Sequence, residues 1–351
     1  MAHIDNPRAL HSDKPRALVL SAAIERLRRG YWLARRSAPH GQDLAFYGAI
    51  FALGMLLFWL STRHPSLMPV WAPWDFSPSE YLAIALTLFW FWRGVALSPP
   101  AARPPIWRTV FFLLGVLVLY VVLQTRFEYW SQHMFFLNRV QHVAMHHLGP
   151  FLIAIGWTGG TIKQGMPRGA RQFVESRPII AVVRVLQQPL LAVFLFVGLF
   201  YLWLIPSVHF RAMIDPKLYA VMNWSMVVDG LLFWSLVLDP RPKPPARISY
   251  GTRAALSLGV MFPQILVGAV LAFAPRDLYP YYDLCGRLFP SIGALSDQEI
   301  GGIISWIPPG MMSVVGVLLV LNALRLQEES TEETDDASRQ LADLASRWTG
   351  R

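Results

Sequence analysis

Four histidines stand in the apolar stretch His133 to Trp157, HMFFLNRVQHVAMHHLGPFLIAIGW. Imidazoles are costly to bury in hydrocarbon, so ionisable side chains at such a place mark functional positions. His142 and His146 lie four residues apart and share a helical face with Asn138, whereas His147 is expected to point elsewhere. An i, i+4 pair of this kind can hold one metal ion between two ring nitrogens, or line a polar seam between helices. His133 falls at one end of the stretch and His209 in a later loop. Together they would suit the mouth of a metal path, although anchoring at the membrane surface explains either one alone. For His147 a helix–helix hydrogen bond is the bland alternative.

Other polar groups fall at comparable depth in neighbouring apolar stretches. They are Asn223, Asp229 and Gln264, with Asp297, Gln298 and Trp306 at the start of the last one. Arg139 is expected to snorkel to the surface or to pair with Asp229, Asp297 or Glu128, because a lone charge there is expensive. Asp229 needs a proton or a cation beside it for the same reason. The chain has 12 methionines, and thioethers are soft donors suited to Cu(I). Met145, Met311 and Met312 are the candidates, against the ordinary role of methionine as packing. Pro308, Pro309 and Gly310 are expected to break or kink the last apolar segment.

The elements that must position these groups are membrane helices. Hydrophobic residues make up 54% of the 351-residue chain and charged ones only 15%, with a mean hydropathy of +0.39. A soluble domain has too little charge in that mixture to cover its surface. Eight segments are long enough to span: Leu44–Ser61, Tyr81–Leu97, Trp107–Gln124, Met134–Trp157, Val185–Ile205, Leu218–Leu238, Ala254–Ala274 and Gly301–Leu324. This predicts an all-α polytopic membrane protein with a bundle of about seven to eight transmembrane helices. Twenty Lys/Arg fall on the N-terminal arm and the joints after spans two, four and six; the alternate joints hold six. The positive-inside rule then puts both termini in the cytoplasm, and the multi-pass chain in a bacterial inner membrane. Trp71, Trp74, Trp130, Trp203 and Tyr279 to Tyr282 are expected to form an aromatic belt at the outer surface.

Three regions follow: a basic arm over 1–43, a transmembrane domain over 44–325 and an acidic tail over 326–351. Within the arm, Pro15 to Arg36 reads either as an amphipathic helix on the inner leaflet or as a flexible basic segment. No cleavable leader is expected, since Ala17–Ile24 is short and precedes the basic run Arg26–Arg29. The run Glu328 to Asp336 reads as disordered, with a short helix, Ala337 to Trp348, after it. The net charge of +9 belongs to this topology rather than to nucleic-acid binding, and the single Cys285 excludes an internal disulfide or a CxxC metal site. No nucleophile pattern or phosphate loop occurs, so the chain is not expected to be an enzyme.

Three sequence elements resemble the polytopic CtaG family of cytochrome c oxidase assembly factors, known from caa3-type oxidases. That family's His-Met-x-Gln-His core, followed by an apolar stretch and Pro-Leu-Leu, is similar to Asn138-Arg-Val-Gln141-His142 and Pro150-Phe-Leu. Its His-x-Ser-Phe…Gly-x-Leu-Phe-Trp element is similar to Asn223-Trp-Ser225 running on to Gly230-Leu-Leu-Phe-Trp234. Its Asp-Gln-x-x-Gly-Gly-x-x-Met-Trp element is similar to Asp297-Gln298-Glu-Ile-Gly301-Gly302-Ile-Ile-Ser-Trp306. A Trp…His-x-Pro segment corresponds more loosely to Trp203 to Tyr219 with His209. Asn138 and Asn223 stand where the family pattern carries histidine, so His146 would take the place of one of them. The resemblance implies an assembly factor for a haem–copper oxidase that assists copper delivery from the periplasmic side. Cu(I) would enter at His133 and His209, pass to His142 and His146, and leave to a docked oxidase subunit. A periplasmic copper carrier and membrane lipid are the other expected partners. The competing readings are a scaffold without metal, a haem b oxidoreductase and a transporter.

Overall fold

A computed structural model describes residues 41–349; the basic arm, with its predicted surface helix, lies outside the described residues. The architecture is the all-helical polytopic one expected. Helices α1 (Gly41–Arg63), α2 (Pro78–Leu97) and α3 (Ile106–Gln124) lead to the histidine segment. There Phe135–Val143, a π-helical turn Ala144–Leu148 and Gly149–Gly156 run on without interruption and together form α4. Then follow α5 (Pro189–Leu202), α6 (Pro216–Val237), α7 (Tyr250–Ala272) and α8 (Ala294–Thr349). Among the described residues six helices are long and apolar enough to cross a membrane, or seven if α5 and the preceding Arg177–Leu186 make one span. In α4 the π-turn divides the crossing into short stretches, but Phe135 to Gly156 reaches about 30 Å at 1.5 Å per residue, the thickness of a hydrocarbon core.

Three predicted boundaries change. The fifth span starts at Pro189 rather than Val185, because Gln187-Gln188-Pro189 ends the amphipathic helix Arg177–Leu186, and the two helices meet at 74°. The last span is not broken: α8 continues through Pro308 and Pro309 as one helix. A proline in a packed membrane helix removes one backbone bond, and neighbouring helices tolerate that locally. The acidic run expected to be disordered also continues α8. Its exposed helix carries Arg325–Glu329 at 3.6 Å and Arg339–Asp336 at 3.4 Å, the i, i+4 and i, i+3 pairs that favour helix.

Helix α4 lies inside the bundle. Its neighbours approach through glycines, as membrane helices do where small residues let backbones meet. A Cβ on Gly230 of α6 would stand 2.3 Å from the His146 carbonyl oxygen, so α6 touches α4 at the histidines themselves. Along α7 and α8, the most extensively packed pair, a Cβ on Gly268 would meet Trp306 Cβ at 2.5 Å, and one on Gly302 would meet Ala272 N at 2.5 Å. Helix α1, by contrast, exposes most of its apolar side chains and is held to α2 by Tyr81 Oη donating to the Ile50 carbonyl at 2.8 Å and by the Arg93–Asp43 ion pair at 2.9 Å.

Candidate functional site

The N-terminus of α4 is fixed from a distance. Asp297, on α8, accepts the Phe135 and Phe136 backbone N–H groups at 2.9 and 2.7 Å, and Arg287 donates to the same carboxylate at 2.5 Å. A carboxylate at a helix N-terminus satisfies orphan donors and opposes the positive end of the dipole. Gln298 accepts the Leu278 N–H at 2.7 Å and donates to the Leu271 carbonyl at 3.2 Å, which fastens the α7–α8 loop. At Gly301 a Cβ would stand 2.4 Å from the Phe135 ring. The Asp-Gln-x-x-Gly-Gly element is therefore an anchor that seats α4, and Trp306 packs against Gly268 instead of facing the histidines. Gln141 is likewise structural. Its Oε1 accepts from Ser131 Oγ at 2.9 Å and Tyr219 Oη at 3.0 Å, and its Nε2 donates to the Val122 carbonyl at 2.9 Å.

At the centre of α4 the π-turn alters the expected faces. His147 does not point away: its ring lies 4.9 Å from that of His146, and both pack on Phe196 of α5, at 4.9 and 4.1 Å. A π-turn adds a residue to the helical repeat and so brings successive side chains to one side. His146 Nε2 lies 3.0 Å from Asp229 Oδ2, and His147 Nε2 lies 3.4 Å from Gln264 Nε2. The Nδ1 atoms of both rings are buried without a partner, as are both ring nitrogens of His142. Met145, Met213, Met222 and Met226 are buried in one core cluster, which also holds Phe200, a ring 6.4 Å from that of His146 and 6.2 Å from that of His147. Met213, Met222 and Met226 come from other elements, a convergence invisible to spacing along one segment. Among the described residues no three His, Cys, Asp or Glu side chains converge as a metal site. Met311 is 64% exposed, whereas Met312 packs against the core cluster that holds Phe196 and Trp234, rings on which the histidines themselves pack.

The predicted mouth does not form as a pair. His133 stacks on Tyr129 at 4.2 Å and gives its Nδ1 proton to the Tyr129 carbonyl at 2.8 Å. His209 is wholly buried among Phe135, Tyr279 and Tyr282; its Nδ1 donates to the Trp203 carbonyl at 3.2 Å and its Nε2 accepts from Tyr282 Oη at 2.9 Å. The two histidines share no partner, and His209 has no nitrogen free for a metal. Burial, reinforced by the Arg139 charge, pulls His209 down to about 3, so it stays neutral. Trp203, Tyr279, Tyr281 and Tyr282 are buried too: they form an aromatic plug around His209 rather than a lipid-facing belt, while Trp71 remains exposed.

Arg139 neither snorkels nor meets its predicted carboxylates. It is fully buried, with its guanidinium 5.0 Å over the Phe135 ring and donating to Asn138 Oδ1. Asp229 is taken by His146 and Asp297 by Arg287. Asn138 Nδ2 points to Met213 Sδ at 3.8 Å. Asn223 lies elsewhere, in the wall of an apolar cavity of about 280 Å³ between α2, α3 and α6, together with Glu80. Glu80 accepts from Gln124 Nε2 at 3.0 Å. Burial, with the Glu80 and Asp75 carboxylates nearby, raises Glu128 well above the usual carboxylate range. Sequence reasoning passed over Glu80; the signal was a carboxylate three residues into an apolar span.

Fold and site together define a polytopic helical membrane protein built around one buried histidine helix. Residues 86–326 match the family model described as cytochrome c oxidase caa3 assembly factor (Caa3_CtaG), and the chain belongs to that family. The match takes in α3 to α7 and all three sequence elements above. No curated protein and no solved structure matches the chain.

Proposed function

We propose that this assembly factor carries Cu(I) as cargo to a haem–copper oxidase subunit in a bacterial inner membrane, receiving it from the periplasmic side. The observation that carries the reading is the state of His146. With Asp229 ionised, its carboxylate accepts the His146 Nε2 proton across 3.0 Å, and the lone pair then sits on Nδ1, an atom buried without a partner. Metal-binding histidines are prepared in this way: a carboxylate on one nitrogen fixes the tautomer and raises the basicity of the other. His147 with Gln264, and the unpartnered His142, add two more imidazoles on the same helix. The methionines of the core cluster that includes Phe200 are soft donors of the kind that suits Cu(I). A set of few ligands favours exchange over storage, as delivery requires. His133 keeps one nitrogen free and can take part in entry; His209 serves to hold the plug.

Arg139 works against this cargo. A cuprous ion about one helical turn away, some 6 Å, would meet a repulsion of about 3 kcal/mol at an effective dielectric near 20. The scaffold reading draws on this and on the absence of a three-ligand cluster among the described residues. Anaerobic Cu(I) titration of the purified chain separates the two. Delivery predicts reversible binding that is lost in His146→Ala and weakened in Asp229→Leu, and oxidase activity in a deletion strain that excess copper restores. Equal copper content in all three proteins, with no rescue by copper, rejects delivery and leaves a scaffold.

A further inference from the structure

Arg139 has surplus donors that no protein group answers. Its Nε and Nη1 are buried without an acceptor, and the described residues provide no carboxylate partner for it. None of the nearby tyrosine hydroxyls accepts from these donors. Tyr219 donates to Gln141, Tyr279 to the Leu204 carbonyl and Tyr282 to His209, while Asn138 Oδ1 already receives the guanidinium. One turn along α4, His142 leaves both ring nitrogens unpartnered. The carboxylates near Glu80 and Glu128 can relieve their own burial by taking up protons. A guanidinium keeps its charge at any relevant pH, so burial of Arg139 has to be compensated by negative charge from outside the chain. Water could satisfy the N–H groups but not the charge.

We infer that Arg139 and His142 form a buried receptor for one small monovalent anion, a halide or the carboxylate of a ligand or partner. The guanidinium Nε and Nη1 would hold it, with the N–H of the neutral His142 ring as a further donor. A cavity of about 210 Å³ comes within one ring of the pair. His209 and Tyr279 line it, and both pack on Phe135, the ring beneath the guanidinium. This inference does not depend on copper delivery and its test contains no copper.

The test is thermal unfolding of the full-length protein in detergent, with sodium gluconate replaced by chloride, formate or acetate at constant ionic strength. A saturable rise in Tm of at least about 3 °C is expected with chloride or formate. Response to both indicates a free inorganic or organic anion; response to carboxylates alone points to an organic ligand or a partner side chain. In Arg139→Met the rise disappears. Equal anion dependence in the variant, or none in the wild type, overturns the inference. Should the variant not fold, crystals of the wild-type protein grown in bromide decide the matter. An anomalous bromide peak or carboxylate density within hydrogen-bonding distance of the guanidinium supports the receptor, and water alone there refutes it.

Discussion

Asp297 is the residue whose loss best tests whether α8 positions the histidine helix. In Asp297→Ala the Phe135 and Phe136 N–H groups lose their acceptor at 2.9 and 2.7 Å, and Arg287 loses its partner at 2.5 Å. Hydrogen bonds to an ionised group contribute roughly 1.5–3 kcal/mol each, and loss of an N-cap typically costs about 1 kcal/mol. These terms overlap. The carboxylate is fully buried, however, and Arg287 is only 11% exposed, so the stranded groups are poorly rehydrated. Breaking a buried pair costs about 3–5 kcal/mol, and we expect about 4 kcal/mol for Asp297→Ala. Asp297→Asn retains one acceptor oxygen and should lose about 2 kcal/mol. The control is Asp283→Ala. That carboxylate is 53% exposed and also binds Arg287, at 2.7 Å, so its removal should cost less than about 1 kcal/mol. Equilibrium SDS titration of the purified proteins reads the three differences. The reasoning fails if Asp297→Ala lies within 1 kcal/mol of Asp283→Ala, since α4 would then be seated by something else.

Two further outcomes follow from contacts deeper in the bundle. Gly230→Ala places a methyl 2.3 Å from the His146 carbonyl and 2.9 Å from Pro150 Cγ. It should destabilise by about 1–3 kcal/mol through overpacking, and also push Asp229 away from His146, which shifts of the histidine Nδ1 and Nε2 resonances in ¹⁵N spectra would report. His209 provides a pH signature. Burial holds it near 3 in the folded chain against about 6.5 when unfolded, so the unfolded state takes up the proton first. Its contribution is complete above pH 6.5 and declines by up to about 1.4 kcal/mol per unit as pH falls from there towards 3. His209→Gln should flatten that slope in thermal scans at pH 4 to 7, and an unchanged slope would remove His209 as its source.

The spans were legible because twenty apolar residues in a row have few alternatives. The anchoring role of Asp297 and Gln298 was not, since its meaning lies in two N–H groups 161 and 162 residues away in sequence. The faces of α4 were misread at His147 for a different reason. A regular helix sends residues 146 and 147 about 100° apart, and nothing in Ala144-Met-His-His-Leu148 announces the π-turn that brings both to Phe196. Trp203 and Tyr279 to Tyr282 looked like a lipid-facing belt by composition. In the structure most of them have a buried hydrogen-bond partner, because an aromatic ring with a polar tip fits a plug as well as an interface. The pairings expected for Arg139, with Asp229, Asp297 or Glu128, assumed that a buried cation is answered by a carboxylate of its own chain, and Asp229 and Asp297 are paired elsewhere.

That last point bears on what distinguishes this chain within its family. Where the resemblance sets His-Met, this chain reads Asn138-Arg139. The amide oxygen accepts from the guanidinium, and its Nδ2 meets Met213 Sδ at 3.8 Å. On the two readings proposed above, the exchange would set a pair that repels Cu(I) and draws an anion in place of soft donors. If α4 carries Cu(I) as proposed, the charge at 139 should limit its affinity more than a shortage of imidazoles. Removing about 3 kcal/mol of repulsion corresponds to roughly a hundredfold in Kd. Arg139→Met alone should therefore tighten Cu(I) binding at least tenfold in a competition assay with bicinchoninate. Asn138→His combined with Arg139→Met should tighten it further by adding a ligand, and both should abolish the response to chloride and formate. If the double variant binds copper no better than the wild type, the imidazoles of α4 are not copper ligands, and Asn138 and Arg139 belong to a scaffold whose only guest is the anion.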